Sequence, residues 1–365
     1  MDFFKLESLC DEIIDCPHST PRWLDSGIRV IRNYNLNGAH FDFSKSSYVD
    51  EETYLNRTKR AKPEANDIII SREAPMGTVA IMPKGLKCCL GQRLVLLKVK
   101  TEKVNPHYLL YALMSQYVQK QIRKVDVTGS IVSNLNIPDL KELVIPVCER
   151  NEQDKVASIL VSIDKKIGIN NRINDTLQQQ AHDIYMHLFY KKNTNGKISD
   201  LLIENGKSSI KVGEAKDING DYPFFTSGEA ILEWKEALVE GRNCFLNTGG
   251  NADVKFYVGG AAYSTDTWCI SARDGLSDYM YLLLNSIKGE LNKKFFQGTG
   301  LKHLQKELLK DRPIYVPDEN EIKLFNGSIY PISNMLSEKT RENLKLTDLR
   351  DWLLPLLMNG QATVK

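Results

Sequence analysis

The chain has 365 residues, of which 42% are hydrophobic, so it is long enough for two or more domains with buried cores. Its formal net charge of +2 at pH 7 gives no global basic signature, although basic residues can still be gathered locally. Seven scattered cysteines without a CxxC pair argue against a disulfide framework or a zinc site and favour reduced thiols in a cytosolic protein. No signal peptide and no run of about 18 apolar residues is visible, so we expect no membrane segment.

The N-terminal part of the chain is dominated by short β-rich runs that Gly, Pro and Asn interrupt. These runs predict strands at 67–70, 78–81 and 94–99. A helix is predicted at about 106–122, because Asn105 is a favourable N-cap and Pro106 fits the first helical position. A Gly-containing turn and a short strand that ends at Pro146 then lead to a much longer helix.

This first long helix is predicted from about Glu149 to Leu188, a length of about 40 residues or 60 Å. Its apolar residues recur mostly at spacings of three and four, the pattern of a helix that packs along another helix. Asn170 and Asn174 interrupt this apolar seam, and a buried Asn can fix the register of paired helices at some cost in stability.

A polar loop at 191–197 separates the first long helix from a second set of elements. Two further strands are predicted in this set, at 244–246 and 268–270. A helix follows at about 277–296, with Ser277 or Asp278 as its cap.

A second long helix is predicted from about Glu319 to Met358, again with an apolar seam. Pro331 and Pro355 lie inside it, and a proline cannot donate the helical hydrogen bond. We therefore expect kinks or breaks at these two positions.

The second half of the chain repeats the plan of the first half at a constant offset of 171 residues. The matched pairs are Tyr108 and Tyr279, Thr128 and Thr299, Gly129 and Gly300, and Pro146 and Pro317. A gap-free register over about fifty residues indicates that one structural unit was used twice. Before residue 107 the sequence offset between the repeats is no longer constant, and residues 90–93 align only loosely with residues 263–266.

This plan predicts an α+β chain with two globular α/β domains, separated by two long antiparallel coiled-coil helices and related by a pseudo-two-fold internal repeat. The expected boundaries are 1–148 for the first domain, 149–190 for the first helix, 191–318 for the second domain and 319–365 for the second helix. In this arrangement the helices would act as a ruler between the domains.

Several short segments partly match catalytic motifs, but helix capping or an incomplete motif accounts better for each of them. The segment 105–108 is similar to the Asn-Pro-Pro-Tyr motif of DNA amino-methyltransferases, yet its second copy at 276–279 lacks those residues. Residues 317–323 contain the letters of a PD…ExK nuclease motif, but their spacing is too short to bring both carboxylates to one metal ion. The Gly-rich segment 248–251 lacks the Lys-Ser/Thr ending of a P-loop. The histidines form no paired cluster. We therefore expect neither a catalytic nor a metal-binding residue.

Polar loops in corresponding places of the two repeats carry side chains that can bind base edges and phosphates. In the first repeat the candidate DNA-binding residues are His18, Ser19, Thr20, Arg22, Arg57, Lys59, Arg60, Ser71, Arg72, Gln92 and Arg93. In the second repeat they are Thr226, Ser227, Thr248, Asn251, Thr265, Lys302 and His303. Each loop alone is better explained as a solvated turn, but recurrence in both repeats favours a binding surface.

Further motifs have a family-specific arrangement. They are 16–21, 222–228 with 247–253, 145–147 leading into 159–164, and the closing segment 349–361. Each motif alone is a weak signal. Together with the duplicated plan, they make the chain similar over essentially its full length to the specificity subunit of type I restriction-modification systems.

The resemblance implies two target recognition domains, each of which reads one half of a split, asymmetric site in double-stranded DNA. It implies two methyltransferase subunits that methylate adenine with S-adenosylmethionine, and two endonuclease subunits that use ATP and Mg. The chain itself would bind no cofactor, perform no catalysis and act in the prokaryotic cytoplasm. Candidate partner-binding residues on the spacer helices are Ile163, Ile167, Leu177, Ile332, Leu336 and Leu353.

Two alternatives stay open: a recognition subunit that serves a single fused restriction-methyltransferase polypeptide, and a coiled-coil scaffold whose globular ends bind proteins. We expect weak, salt-sensitive DNA binding by the isolated chain and tight binding by the assembly. We also expect charge reversal at Arg57, Lys59 and Arg60 to weaken DNA binding without releasing the methyltransferase.

Overall fold

The computed structural model describes residues 1–73, 75–126, 134–216 and 218–362. The chain packs into two compact units: unit 1 contains 1–166 and 346–365, and unit 2 contains 167–345. Each unit therefore includes a segment of both long helices, whereas the sequence-based boundaries placed the helices outside the globular domains. Thr128 and Gly129 of the internal repeat lie outside the described residues.

Unit 1 begins with a strand-rich part. Its strands are β1 (Asp2–Lys5), β2 (Cys10–Asp15), β3 (Ile28–Ile31), β4 (Leu36–Asn37), β5 (His40–Phe41), β6 (Ser47–Val49), β7 (Ile68–Ser71), β8 (Val79–Ile81), β9 (Cys88–Leu90), β10 (Leu94–Val99) and β11 (Val144–Val147). Its helices are α1 (Glu51–Arg57), α2 (Pro106–Met114), α3 (Gln116–Asp126) and α4 (Ile137–Glu142), followed by the start of α5 (Arg150–Phe189).

The main sheet of unit 1 has the antiparallel order β2-β10-β7-β8. Its central strands are continuous apolar runs because both faces of the sheet are covered, and Ile68, Ile69 and Ile70 are all fully buried. A second sheet has the order β6-β3-β9, in which β3 and β9 are parallel. Strand β1 pairs with β11, so the chain start is tied to the approach to α5.

Unit 2 contains the end of α5 and a second strand-rich part. Its strands are β12 (Gly196–Lys197), β13 (Leu202–Glu204), β14 (Tyr222–Phe225), β15 (Ile231–Trp234), β16 (Arg242–Asn247), β17 (Val254–Val258), β18 (Ala262–Tyr263), β19 (Thr267–Ala272), β20 (Phe296–Gln297), β21 (His303–Leu304) and β22 (Pro313–Ile314). Its helices are α6 (Ile198–Leu201), α7 (Ser277–Ser286), α8 (Lys288–Glu290) and α9 (Lys306–Lys310), followed by the start of α10 (Glu319–Met358).

The strand order of unit 2 repeats that of unit 1. Its main sheet is β13-β19-β16-β17, its second sheet is β15-β14-β18 with β14 and β18 parallel, and β12 pairs with β22. The equivalence includes the register, since Leu94 lies opposite Ser71 in unit 1 and Thr267 lies opposite Asn247 in unit 2. The internal repeat is thus confirmed, and it extends into the region where the constant sequence offset is lost.

The helices that follow the main sheets are shorter than the sequence predicted. Asn105 caps α2 as expected, accepting hydrogen bonds from two backbone N–H groups. The predicted helix at 106–122 is interrupted at Ser115, whose backbone is extended, and resumes as α3. The predicted helix at 277–296 is interrupted after Ser286 and resumes as α8, which is followed by a π-helical turn at Leu291–Phe295. Ser277 and Asp278 do not cap α7, because they lie inside its first turn with their side chains bonded to Ala272 and Arg242.

Within each unit, the segments of the two long helices run antiparallel. In unit 1, Arg350 of α10 donates a hydrogen bond of 3.1 Å to Asp164 of α5. In unit 2, Asn170 donates to Asn343 at 2.9 Å, and the rings of Phe189 and Phe325 lie 5.2 Å apart. Asn170 is fully buried, as its position in the seam predicted.

The two prolines do not break α10, which runs continuously from Glu319 to Met358. Pro331 follows Phe325 and Ile329, which are fully buried in the core of unit 2. Packing of this apolar face stabilises the helix more than the missing hydrogen bonds destabilise it. No helix in the described part of the chain is long and apolar enough to cross a bilayer.

Candidate nucleic-acid interface

The polar loops of unit 1 meet where four strands end. Strands β2 and β7 are both antiparallel to β10, so their carboxyl ends lie at the edge where β10 begins. Strand β9 reaches the same edge, because only residues 91–93 separate it from β10, and β3 is parallel to β9. We call this edge the strand-end face of unit 1, and the equivalent edge in unit 2 has the same construction.

Backbone hydrogen bonds join the loops of the strand-end face in unit 1. Arg72, the first residue after β7, donates its N–H to the carbonyl of Arg93 at 2.8 Å. Its own carbonyl accepts from the N–H of Leu135 at 3.0 Å. Arg93 adopts a φ of 68°, which is uncommon for a residue with a side chain, and it leads the chain into β10.

The same backbone bonds recur in unit 2. Thr248, the first residue after β16, donates its N–H to the carbonyl of Asp266 and accepts from the N–H of Leu304, both at 3.0 Å. Thr248 is therefore the structural equivalent of Arg72, and Asp266 is the equivalent of Arg93. The two faces have a common backbone frame but carry different side chains.

A buried polar residue at the end of one central strand organises the hairpin loop of unit 1. Ser71 is fully buried, its hydroxyl donates to the carbonyl of Pro75 at 2.5 Å, and it accepts from the N–H of Thr78 at 2.9 Å. The prediction that Ser71 contacts DNA is therefore wrong. Its hydroxyl is committed inside the loop that carries Arg72.

Asn247 plays the equivalent part in unit 2. Its amide donates to the carbonyls of Gly249 at 2.7 Å and Asn251 at 2.5 Å, and its oxygen accepts from the N–H of Asp253 at 2.7 Å. Asn247 is buried, so these three bonds satisfy a side chain that would otherwise destabilise the sheet. The loop that carries Thr248 and Asn251 is fixed in this way.

Two other predicted contact residues are internal. Arg57 is buried, and its guanidinium donates to the carbonyls of Pro17, Ser19 and Leu90 at 2.9–3.1 Å, which ties α1 to two loops of the face. Thr226 is buried, with its hydroxyl donating to the carbonyl of Ala230 at 2.7 Å. Both predictions of DNA contact are corrected, because these polar groups are already bonded within the chain.

Charged contacts fix two further side chains of unit 1. Arg72 is bonded to both carboxylate oxygens of Asp15 at 2.8 and 2.9 Å and to the carbonyl of Leu135, so it is half-buried and held in place. Arg93 is exposed and pairs with Glu73 at 2.9 Å. The amide nitrogen of Gln92 donates to the carbonyl of His18, which joins the turn 91–93 to the loop after β2.

Lys255 links two loops of the face in unit 2. Its ammonium donates to the carbonyl of Thr226 at 3.1 Å and to that of Gly228, and it lies 3.5 Å from the carboxylate of Asp253. Burial lowers the pKa of Lys255. Burial by itself raises the pKa of Asp253, but the hydrogen bond from the Lys288 ammonium at 2.6 Å helps to bring that pKa below its usual value.

The remaining predicted residues lie on the surface of their units. The exposed ones are His18, Ser19, Thr20, Arg22, Lys59, Arg60, Arg93, Asn251, Lys302 and His303. Gln92, Ser227, Thr248 and Thr265 are half-buried. Lys59 and Arg60 follow α1 instead of a strand end, whereas Lys302 and His303 lie beside Gly249 and Gly250 through backbone pairing.

Sequence reasoning missed Arg32, which follows β3 directly. Ile31 lies opposite Leu90 in a parallel pair, as Phe225 lies opposite Tyr263, so Arg32 is the structural equivalent of Thr226. The signal was hidden because the constant offset fails in this region. Only the strand pairing shows that the two residues occupy the same position.

The candidate partner-binding residues are buried or half-buried within their own units. Ile163 and Ile167 are buried, so they are not available to a partner and their assignment is corrected. Ile332 and Leu353 are half-buried against the cores of unit 2 and unit 1, and Leu177 and Leu336 are also half-buried. More exposed apolar side chains of the long helices are Ile169, Leu324, Met335, Leu349 and Trp352.

Among the residues that the structure describes, no group of His, Cys, Asp and Glu could hold a metal ion. The cysteines are free, and burial raises the pKa of Cys10 to about 12. What the faces offer is amide, hydroxyl and guanidinium groups on a fixed backbone. A duplicated α/β fold with such loops at equivalent strand ends has the groups and the two-fold plan that a two-domain DNA-recognition protein requires.

Comparison with known proteins agrees with this class. The family model of the type I restriction modification DNA specificity domain matches residues 6–179 and again 190–332, and the chain belongs to the family of type I restriction-modification specificity subunits. A putative type I restriction enzyme MjaX specificity subunit from Methanocaldococcus jannaschii is 30% identical over 378 residues, covering 93% of this chain and 88% of that protein. The MjaIX specificity subunit of the same organism is 21% identical, covering 87% and 82%.

A solved structure has the same fold. The crystal structure of the S subunit of a type I restriction-modification system from M. genitalium superposes with a TM-score of 0.61. It is 18% identical in sequence and covers 98% of this chain and 95% of that one. At this level of identity the likeness concerns the fold alone.

Proposed function

We propose that this chain selects the DNA sequence for a type I restriction-modification complex and assembles its other subunits, with each unit reading one half of a bipartite, asymmetric site. The observation that supports this proposal is the pair of equivalent strand-end faces with different side chains. Arg32, Arg72 and Arg93 of unit 1 correspond to Thr226, Thr248 and Asp266 of unit 2.

Thr226 and Arg72 are bonded within their units, so the difference in base preference rests on Arg32 and Arg93 of unit 1 and on the exposed Asp266 of unit 2. An arginine can bind the O6 and N7 atoms of guanine through two hydrogen bonds, whereas aspartate accepts from the amino group of cytosine. Three arginine positions in one unit therefore have no equivalent cation in the other. Two such faces would read two unrelated half-sites.

The long helices are proposed to set the spacing and to bind partners. Helices α5 and α10 each contain 40 residues, a length of about 60 Å. A duplicated chain offers two equivalent surfaces, which suits two methyltransferase subunits and, through them, two endonuclease subunits. S-adenosylmethionine, ATP and Mg would belong to those partners, and this chain would supply no catalytic residue.

Methylome sequencing of cells that carry this chain and its partner subunits tests the proposal. We expect an interrupted motif whose two halves differ, with a methylated adenine in each half. The motif should vanish when the gene for this chain is deleted and the partner genes are kept. A palindromic motif would contradict asymmetric reading, because two different faces would then have read the same sequence.

Purification of the assembled complex distinguishes the alternative of a fused partner. We expect two methyltransferase chains for each copy of this protein. A complex with one restriction-methyltransferase polypeptide would instead support the fused arrangement. A complex that fails to shift a duplex carrying the methylated motif would support a protein-binding scaffold.

A further inference from the structure

A small polar cavity opens on the strand-end face of unit 1. Its volume is about 190 Å³, and it is lined by Thr20, Trp23, Arg32, Asn33, Gln92 and Arg93. This volume is below the 300–1,000 Å³, approximately, of sites that enclose whole small molecules, and the lining is polar instead of mainly apolar. A cavity of this size and chemistry suits the edge of a nucleotide base.

Two aromatic rings hold the guanidinium of Arg32. Its central carbon lies 4.9 Å from the ring centroid of Trp23 and 4.9 Å from that of Tyr34. Trp23 and Tyr34 are themselves 39% and 41% exposed, so the cluster lies at the surface. Contacts with aromatic faces restrain an arginine while they leave its N–H groups available for hydrogen bonds.

The side chain of a buried asparagine, Asn35, holds the backbone of the segment that carries Arg32. Asn35 accepts from the N–H of Arg32 at 3.0 Å and donates to the carbonyls of Asp42 at 2.8 Å and Lys45 at 2.7 Å. The hydroxyl of Tyr34 is bonded to that of Ser47 at 2.9 Å. Arg32 and one of its rings are therefore fixed before any ligand binds, as a base-reading residue requires.

Other arginines of this face already have acceptors within the chain. Arg57 is bonded to backbone carbonyls, Arg72 to Asp15, and Arg93 to Glu73. No carboxylate pairs with Arg32 among residues 1–73, 75–126, 134–216 and 218–362. An arginine held in a polar cavity without a charged acceptor is suited to bind an external one.

We propose that Arg32 is a specificity-determining residue of unit 1 and that it reads a guanine in the half-site of this unit. The inference rests on the proposed function. A base is favoured over a phosphate, because the polar residues Gln92 and Thr20 line the same cavity and because the arginine is restrained. A flexible cation would be sufficient for a phosphate.

The first experiment compares methylomes of the complex with Arg32→Gln and Arg32→Lys. Lysine keeps the positive charge but cannot form the two-pronged bond to guanine. Both variants should relax one guanine position of one half-site, with a loss of discrimination of about 10-fold or more, and leave the other half-site and the spacing unchanged. Lys84→Gln is the control, since it removes one charge at the opposite end of the main sheet, after β8.

A second experiment uses the unmodified protein, so it does not depend on how the variants fold. Each guanine of the wild-type target is replaced in turn by 7-deazaguanine, which lacks the N7 acceptor, and binding of the complex is measured. One substitution should weaken wild-type binding about 10-fold and have little further effect on the Arg32→Gln complex.

An unchanged motif in both variants would overturn the inference, as would a half-site pair without a guanine sensitive to 7-deaza substitution. Equal weakening on all sequences would also overturn it, because that result identifies a phosphate contact. If the wild-type chain directs no bipartite motif at all, the proposed function itself fails, and this outcome is distinct from the other three.

Discussion

Units 1 and 2 share a backbone frame and differ in the side chains that the frame presents. Arg72 and Thr248 make the same two backbone hydrogen bonds, to equivalent partners, although one is a long cation and the other a short hydroxyl residue. The strand pairing of the main sheets is also the same. The side chains at the strand ends can therefore differ without any change in the sheet that supports them.

The helices that follow the two sheets are anchored differently. In unit 1, Asn105 caps α2 and bonds to Asp154 of α5 at 2.7 Å. In unit 2, the first turn of α7 contains the fully buried carboxylate of Asp278, which Arg242 of β16 neutralises at 2.8 Å. The start of α7 is thus anchored by a buried ion pair and the start of α2 by a cap. Mutation of these anchors should therefore change the stability of the two units by different amounts.

The largest effect is expected from Arg242→Met. This change leaves the carboxylate of Asp278 buried without its cation, which should lower the free energy of unfolding of unit 2 by about 3–5 kcal/mol. Hydrogen exchange of the two units, followed by mass spectrometry, measures the change. Arg273→Met removes an exposed arginine nearby and should change stability by about 0.5 kcal/mol or less. Equal losses in both variants would argue against the ion pair as the anchor.

The next effect concerns the buried residues that organise the hairpin loops. Asn247→Ala removes three hydrogen bonds and Ser71→Ala removes two, so each should cost about 1–3 kcal/mol, with the larger loss for Asn247. Chemical denaturation gives the stabilities, and the exposed Asn251 provides the comparison through Asn251→Ala. A stability unchanged by Asn247→Ala would show that these bonds contribute nothing net.

A smaller and more local effect is expected from exchanging charge at equivalent positions. Arg93→Asp should alter one base preference in one half-site, and Asp266→Arg should alter one in the other, each by about 1–3 kcal/mol. Methylome motifs of the two variants report both halves at once. Should either variant change both half-sites, the assignment of one unit to each half would be contradicted.

The smallest effect is a dependence on pH at the start of α10. The Lys192 ammonium and the hydroxyl of Tyr315, at 2.8 and 2.5 Å, hold the pKa of Glu321 at about 2, below its ordinary value of 4.5. A carboxyl whose pKa is lowered by folding stabilises the fold above its unfolded pKa and loses that contribution as pH falls through the folded pKa.

Thermal unfolding of unit 2 should therefore lose stability between about pH 4.5 and pH 2, and Glu321→Gln should reduce this loss. The difference between the wild-type and variant profiles isolates Glu321 from other carboxylates. Lys192→Met should flatten the profile in the same way. Parallel profiles for all three proteins would exclude this contribution.

Local sequence patterns were sufficient to predict the two long helices. The second long helix was predicted at about Glu319 to Met358, where the structure has it, because its apolar spacing is contained in the helix itself. The cap at Asn105 was predicted for the same reason. Ser277 and Asp278 were misassigned as caps, because their partners Ala272 and Arg242 come from other elements.

The duplicated plan, the two long helices and the positions of the polar loops follow from the amino-acid sequence, since helix periodicity and a constant offset can be read along the chain. Which loop residues reach the surface depends instead on the tertiary fold. Arg57, Ser71 and Thr226 are buried and Arg32 is half-buried beside an open cavity, because strand pairing between distant segments determines which polar groups find partners inside. The side chains that can bind a ligand are those whose polar groups have no partner within the fold.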